Sequence, residues 1–157
     1  MSKEPVKPIN IMVVLNGSNV DNDVVTLACN MASRSKGEVY GVYVIEIKRT
    51  LPLEAEVEPD IQKGEDILDH VERLADKYPC EIETALLQAR NKGPAIVEEA
   101  MEREVDLIIM GINYEKPFGE FSLGTTLPYV LKHATCRVLV YRDAVAKEIV
   151  DTMDRLS

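Results

Sequence analysis

The fold of this chain is decided by the stretch Leu107-Ile108-Ile109-Met110-Gly111-Ile112-Asn113-Tyr114 and by the Gly124-Thr125 pair that follows it. Consecutive apolar residues such as 107–110 are typical of a strand that is buried on both faces of a parallel sheet. Apolar residues then recur at helical spacing over 127–134. A glycine-containing loop between such a strand and such a helix is where an open parallel sheet holds an anionic ligand.

The same alternation of strand and helix patterns extends over most of the chain. Four helical patterns separate the strands, and a long loop covers residues 47–59. Strict alternation predicts an α/β fold: an open, doubly wound parallel sheet of five strands with helices on both faces. The predicted strands are Ile9–Leu15, Val39–Ile45, Cys80–Ala89, Leu107–Met110 and Arg137–Tyr141.

Composition and charge restrict the function. The chain has 157 residues with 46% hydrophobic content, which suits one domain with a real core. A net charge of −9 argues against binding to nucleic acid or to anionic membranes. The first apolar stretch, Ile9–Leu15, is too short for a signal segment or a membrane span. We therefore expect a cytoplasmic protein without membrane insertion, whose three cysteines are reduced thiols.

Two parts of the chain are distinguished by their patterns. Residues 1–142 contain the whole strand and helix alternation and form the predicted α/β domain. Beyond the fifth strand, apolar residues recur at helical spacing from Val145 to Leu156, which predicts a C-terminal helical extension over 143–157.

The loop after the fourth strand has two interpretations. Gly111 and Gly124 would let backbone N–H groups approach a phosphate, while Thr125 and Thr126 would add hydroxyl donors at a helix N-terminus. In the alternative interpretation, Gly111 only turns the chain and Gly124 only precedes an N-cap threonine. Spacing alone does not separate the two.

Several segments taken together resemble the universal stress protein (UspA-like) family. They are Asn16-Gly17-Ser18, Gly93-Pro94-Ala95, the Gly111 to Thr125 loop and residues 130–140, and the match runs from about Ile9 to Tyr141. The resemblance implies the adenine-nucleotide alpha-hydrolase-like fold with strand order 3-2-1-4-5. It also implies a stress-response role and a tendency to dimerise, in a family where some members bind ATP and others do not.

The resemblance also implies a nucleotide-binding motif that is altered in this chain. The ATP-binding pattern of the family is G-x2-G-x9-G-[ST], to which Gly111, Gly124 and Thr125 correspond. Tyr114 occupies the position of the middle glycine, and Asn16 occupies the position of an aspartate that meets the ribose. A tyrosine forced to a positive φ would cost about 1–2 kcal/mol, and its ring would take space near the phosphate.

The candidate ligand is ATP, accompanied by Mg²⁺, or AMP. The resemblance implies that backbone groups at Val14, Leu15 and Val44, rather than their side chains, would recognise the adenine base. Each of these residues also suits an ordinary strand core. The complete set of candidate cofactor-binding residues is Val14, Leu15, Asn16, Val44, Met110, Gly111, Tyr114, Gly124, Thr125 and Thr126.

The motifs do not indicate catalysis. Ser18 lacks the G-x-S-x-G frame of a hydrolase nucleophile, and the two histidines, His70 and His133, lie on predicted helices far from it in sequence. We expect a protein that is not an enzyme, with slow ATP hydrolysis left open. Three functions compete: a regulatory protein that binds an adenine nucleotide, a nucleotide-free, dimeric protein-interaction module, and a small hydrolase or transferase. The family resemblance supports the first two about equally. The predicted dimer contact is the sheet edge at strand 5, Arg137 to Tyr141.

Overall fold

The computed structural model describes residues 7–114 and 123–145. Within those residues, five strands alternate with four helices along the chain. The elements are β1 (Ile11–Val14), α1 (Val20–Ser35), β2 (Val39–Glu46), α2 (Glu58–Ala75), β3 (Ile82–Ala89), α3 (Lys92–Glu102), β4 (Leu107–Ile112), α4 (Thr126–His133) and β5 (Arg137–Arg142).

The strands form one sheet in the order β3-β2-β1-β4-β5. Every neighbouring pair is parallel, with Val14 opposite Val42 on one side and Met110 on the other. The chain adds strands outward from β1 to β3 and then returns to the other side of β1. The order therefore reverses between β1 and β4, where an open sheet leaves a crevice. The predicted fold class and strand order are confirmed.

Two apolar layers lie on opposite faces of the sheet because successive strand residues point to opposite faces. Ile11 and Val13 pack with α1 and α2 in one layer, whereas Met12 and Ile108 pack with α3 and α4 in the other. These four strand side chains are completely buried. Burial of both faces explains the near-continuous apolar runs of the strands.

Each of the five strands has at least one boundary that differs from the prediction by one or two residues, and the differences in β1 and β4 concern the site. β1 is shorter because the backbone and side chain of Asn10 bond to Asp106 and Glu38 at the sheet entrance. β4 is longer and includes Gly111 and Ile112, which pair with Tyr141 and Arg142 of β5. Gly111 is therefore a strand residue and does not turn the chain, so that interpretation of Gly111 was wrong.

The predicted long loop lies between β2 and α2, over residues 47–57. The side-chain amide of Gln88, at the end of β3, donates to the carbonyl oxygens of Leu53 and Ala55 at 2.9 and 3.0 Å. These two bonds hold the loop against the edge of the sheet.

The predicted C-terminal extension lies mostly outside the described residues. Asp143 to Val145 follow β5 as irregular chain, and residues 146–157 are not among those described. The helix over 143–157 stays a prediction. None of the helices in the described ranges combines the length and the hydropathy that crossing a membrane requires.

Candidate functional site

A cavity of about 150 Å³ opens at the carboxyl ends of β1 and β4, where the strand order reverses. Its walls are mainly apolar side chains from the sheet and from α3 and α4. Polar groups come from Asn16, Lys92 and Thr126. The lining residues are Val14, Leu15, Asn16, Val44, Lys92, Ile96, Met110, Gly111, Ile112, Leu123, Thr126 and Leu127.

Most of the candidate residues from the sequence meet at this cavity. Seven of them line it: Val14, Leu15, Asn16, Val44, Met110, Gly111 and Thr126. Gly124 and Thr125 lie beside it at the start of α4 and are exposed. Tyr114 is the candidate that lies apart, next to β5.

The two motif glycines serve different purposes. A Cβ on Gly111 would lie 2.8 Å from Cγ1 of Val20 and 3.2 Å from Cγ1 of Val24, so this glycine lets α1 pack closely on β4. Gly124 has a φ of +68°, and a Cβ there would meet nothing within 4 Å. Gly124 is therefore needed for its backbone conformation, because side chains disfavour a positive φ.

Helix α4 begins at the cavity. Thr125 is its N-cap residue, but the Thr125 side chain makes no capping hydrogen bond. The N-terminus of a helix carries partial positive charge and backbone N–H groups without partners inside the helix. With Thr126 in the wall of the cavity, this end of α4 is arranged to receive an anionic or hydrogen-bond-accepting group.

The side chain of Asn16 bridges the point where the strand order reverses. Its Nδ2 donates to the carbonyl oxygen of Gly111 at 3.3 Å, which joins the end of β1 to β4. Its Oδ1 accepts from the backbone N–H and the hydroxyl of Ser18, at 2.8 and 2.6 Å. Because Oδ1 already accepts two bonds, Asn16 has one amide hydrogen left for a ligand and acts as a donor there.

Asp21, in the first turn of α1, stabilises the turn between β1 and α1 that contains Asn16. The sequence motifs did not point to this residue. Its carboxylate accepts hydrogen bonds from the backbone N–H groups of Asn16 and Gly17, at 3.0 and 2.8 Å, and the residue is only 3% exposed. Burial raises the pKa of Asp21, although these two bonds and the nearby His70 act in the opposite direction. An acid in the first turn of a helix is a visible sequence signal for such a role.

A larger opening lies on the other face of the sheet. It is a groove of about 590 Å³ between the β1–α1 turn and α2, lined by Ser18, Lys63 and His70 among others. None of the candidate cofactor-binding residues lines this groove. We favour the smaller cavity as the functional site because it lies at the strand-order reversal, where open α/β sheets bind ligands. In the described ranges, no group of three His, Cys, Asp or Glu residues is placed to hold a metal ion.

Comparison with known proteins identifies the family. The model of the Universal stress protein family matches residues 9–142. The chain belongs to the universal stress protein family. A universal stress protein of Methanocaldococcus jannaschii is 29% identical over 138 residues, which cover 84% of this chain and 81% of that protein.

Solved structures of universal stress proteins share the fold. The protein from Archaeoglobus fulgidus in complex with dAMP has a TM-score of 0.68 and 22% identity, covering 84% of this chain and 96% of that one. A family protein from Arabidopsis thaliana with AMP bound has a TM-score of 0.62 and 15% identity, covering 89% and 95%. At these identities the likeness establishes the fold.

Tyr114 is the main departure of this universal stress protein from the family motif, and its ring lies beside the guanidinium of Arg142. The Cζ of Arg142 is 5.3 Å from the ring centroid. Within the described residues, the non-glycine residues with a positive φ are Lys36 and Glu104. The strain considered for a tyrosine at this position is therefore not observed, and Tyr114 does not line the 150 Å³ cavity.

Proposed function

We propose that this universal stress protein is a cytosolic regulatory protein that binds an adenine nucleotide in the cavity between β1 and β4, with binding itself as the signal. The observation that carries this proposal is the cavity's composition. Apolar walls suited to a base lie beside the N-terminus of α4 and Thr126, which suit a phosphate. Relatives of the same fold in complex with dAMP and with AMP support the ligand class.

The size of the cavity favours a nucleoside monophosphate over ATP. Its volume of about 150 Å³ lies below the range of roughly 300–1,000 Å³ of typical ligand pockets. A base and part of the ribose fill such a space, and the phosphate then extends towards the exposed Gly124 and Thr125. We therefore propose AMP as the first ligand to test.

Binding without turnover fits the side chains of the cavity. Asn16 and Thr126 offer hydrogen bonds, and the Lys92 ammonium has three donors and no acceptor. General-base catalysis needs a group that takes up a proton near the operating pH, such as a carboxylate or a neutral histidine. The residues that line this cavity are suited to holding a nucleotide.

Isothermal titration calorimetry with AMP tests the proposal, together with the absorbance at 260 nm of the purified protein. Thr126→Phe places a ring at the cavity and should abolish AMP binding. Met101→Phe is the control, because Met101 is 57% exposed and lies nine residues along α3 from Lys92, about 13 Å away. No heat of binding at millimolar AMP, or equal binding by the two variants, contradicts the proposal.

A second candidate function is a dimeric protein-interaction module, favoured by the exposed edge of β5. Leu139 and Val140 are 37% and 40% exposed on this last strand of the sheet. Edge strands of this kind pair with other strands unless charge or a covering segment prevents it. We propose a homodimer formed through Arg137 to Tyr141, which is compatible with nucleotide binding at the opposite side of β4.

A further inference from the structure

Among the described residues that line the 150 Å³ cavity, Lys92 is the one with an ionisable side chain. The sequence motifs did not point to it. It is partly buried at the start of α3. In residues 7–114 and 123–145, the ion pairs within 4.0 Å are those of Arg103 with Glu83 and Glu99, so the Lys92 ammonium has no carboxylate partner there. The backbone N–H of Lys92 donates to the Glu46 carboxylate at 3.4 Å.

Lys92 lies at a helix N-terminus, a position that favours an anion over a cation. It is the first residue of α3, where the helix presents the positive end of its dipole. The first turn of this helix contains no acid of its own, and the Glu46 carboxylate from β2 accepts from the Lys92 backbone N–H. A cation at that end is destabilising, whereas an anion bound next to it removes the cost. A negatively charged ligand would therefore stabilise the Lys92 ammonium at this helix end.

Within residues 7–114 and 123–145, the rest of the cavity lining adds positive potential and no negatively charged side chain. Thr126 opens α4 on the same cavity, so two helix N-termini adjoin one small space. Asn16 is neutral where the family motif has an aspartate, and it offers a donor. The described lining residues thus carry one positive formal charge in a chain with a net charge of −9.

We infer that Lys92 is a specificity-determining residue whose ammonium contacts the phosphate of the bound nucleotide, so that the cavity selects a nucleoside monophosphate over the neutral nucleoside. The inference rests on the proposed function, because it assigns a phosphate contact within the same site. A lysine acts as a flexible point charge with three donors, which suits a phosphate that lies partly outside the cavity.

The test compares the affinities of AMP and adenosine by calorimetry. The proteins are the wild type, Lys92→Met, Lys92→Gln, Lys92→Arg and the control Lys63→Met, which removes an exposed lysine from the groove on the other face of the sheet. We expect Lys92→Met and Lys92→Gln to weaken AMP binding about tenfold to a hundredfold, the effect of losing a hydrogen bond between charged groups. Adenosine affinity should stay within twofold, and Lys92→Arg and Lys63→Met should bind AMP like the wild type.

The outcomes separate this inference from the proposed function. If the wild type binds neither AMP nor adenosine, both fail. If the wild type binds AMP but Lys92→Met and Lys92→Gln bind it equally well, or lose adenosine to the same extent, the function stands and the role of Lys92 is wrong. Lys92→Met and Lys92→Gln differ in polarity, so the test does not depend on a single variant. Thermal unfolding monitored by circular dichroism shows which of the two variants is folded, and that variant is used for the comparison.

Discussion

The backbone N–H of Tyr114 donates a 2.8 Å hydrogen bond to Oδ1 of Asp143. This bond joins the segment just after β4 to the residue that follows β5, and the Tyr114 ring lies beside Arg142. The tyrosine in the glycine position of the family motif thus contacts the edge strand of the sheet. It does not line the cavity.

Tyr114→Gly should therefore leave AMP affinity within about threefold of the wild type. It should lower the free energy of unfolding by about 1–2 kcal/mol, because the cation–π contact is lost and glycine adds freedom to the unfolded chain. Calorimetry and urea unfolding measure the two effects. Tyr114→Phe keeps the ring and serves as the control. A tenfold gain in AMP affinity for Tyr114→Gly would show that the ring obstructs the ligand.

The two motif glycines should respond differently to alanine. Gly111→Ala places a methyl group 2.8 Å from the buried Val20 side chain and should cost about 1–3 kcal/mol through overpacking. Gly124→Ala meets open space and should cost only the strain of a positive φ, about 1–2 kcal/mol. Asparagine tolerates that backbone conformation, so Gly124→Asn should recover part of the loss, whereas Gly111→Asn should not. Urea denaturation of the four variants tests this, and equal recovery at both positions would refute it.

Asp21→Ala should destabilise the protein by about 1–2 kcal/mol, because two backbone N–H groups lose their acceptor. Burial holds the pKa of Asp21 above its ordinary value of 3.8, so the native state binds this proton more readily than the unfolded state does. The wild type should therefore gain stability relative to Asp21→Asn as the pH falls from neutral towards 4. Chemical denaturation at several pH values measures the difference, and a loss over the same interval would contradict the assignment.

Cys29 should make the protein less stable at alkaline pH. Burial, together with a hydrogen bond to the Cys80 thiol, raises the pKa of Cys29 to about 12. An unfolded thiol ionises near pH 8.5, so between roughly pH 8.5 and 12 the unfolded state loses a proton that the native state keeps. Stability should fall by up to about 1.4 kcal/mol per pH unit from this group, and Cys29→Ala should lack that component. Identical alkaline slopes for the two proteins would exclude it.

Dimerisation through β5 should be sensitive to charge on its exposed face. Val140→Lys introduces repulsion between paired edges and should convert the proposed dimer to a monomer. Leu53→Lys is the matched control, because Leu53 is also 40% exposed but lies in the loop before α2. Light scattering at high micromolar concentration reports the mass. A monomeric wild type, or a dimer that survives Val140→Lys, would contradict the proposed interface.

The periodicity of the sequence was sufficient to predict the strands, the helices and their alternation. Runs such as Leu107–Met110 are apolar because both faces of their strand are covered, and that requirement is written in local sequence. The order of the strands came from the family resemblance, since local patterns do not specify which strands become neighbours. The boundaries of the strands were less accurate, by one or two residues, because pairing partners decide where a strand begins and ends.

The sequence by itself determined the strands and helices of the sheet, because their apolar periodicity is local. Its resemblance to the universal stress protein family then indicated most of the residues that meet where the strand order reverses. Only the tertiary structure decided what they do there. Gly111 makes room for Val20, Asp21 holds the first turn, Tyr114 turns to β5, and Lys92 reaches the cavity from another helix. The roles of Gly111, Tyr114 and Lys92 depend on contacts between segments far apart in the chain, which local patterns do not encode. Asp21 differs, because the two groups that it binds lie only four and five residues away.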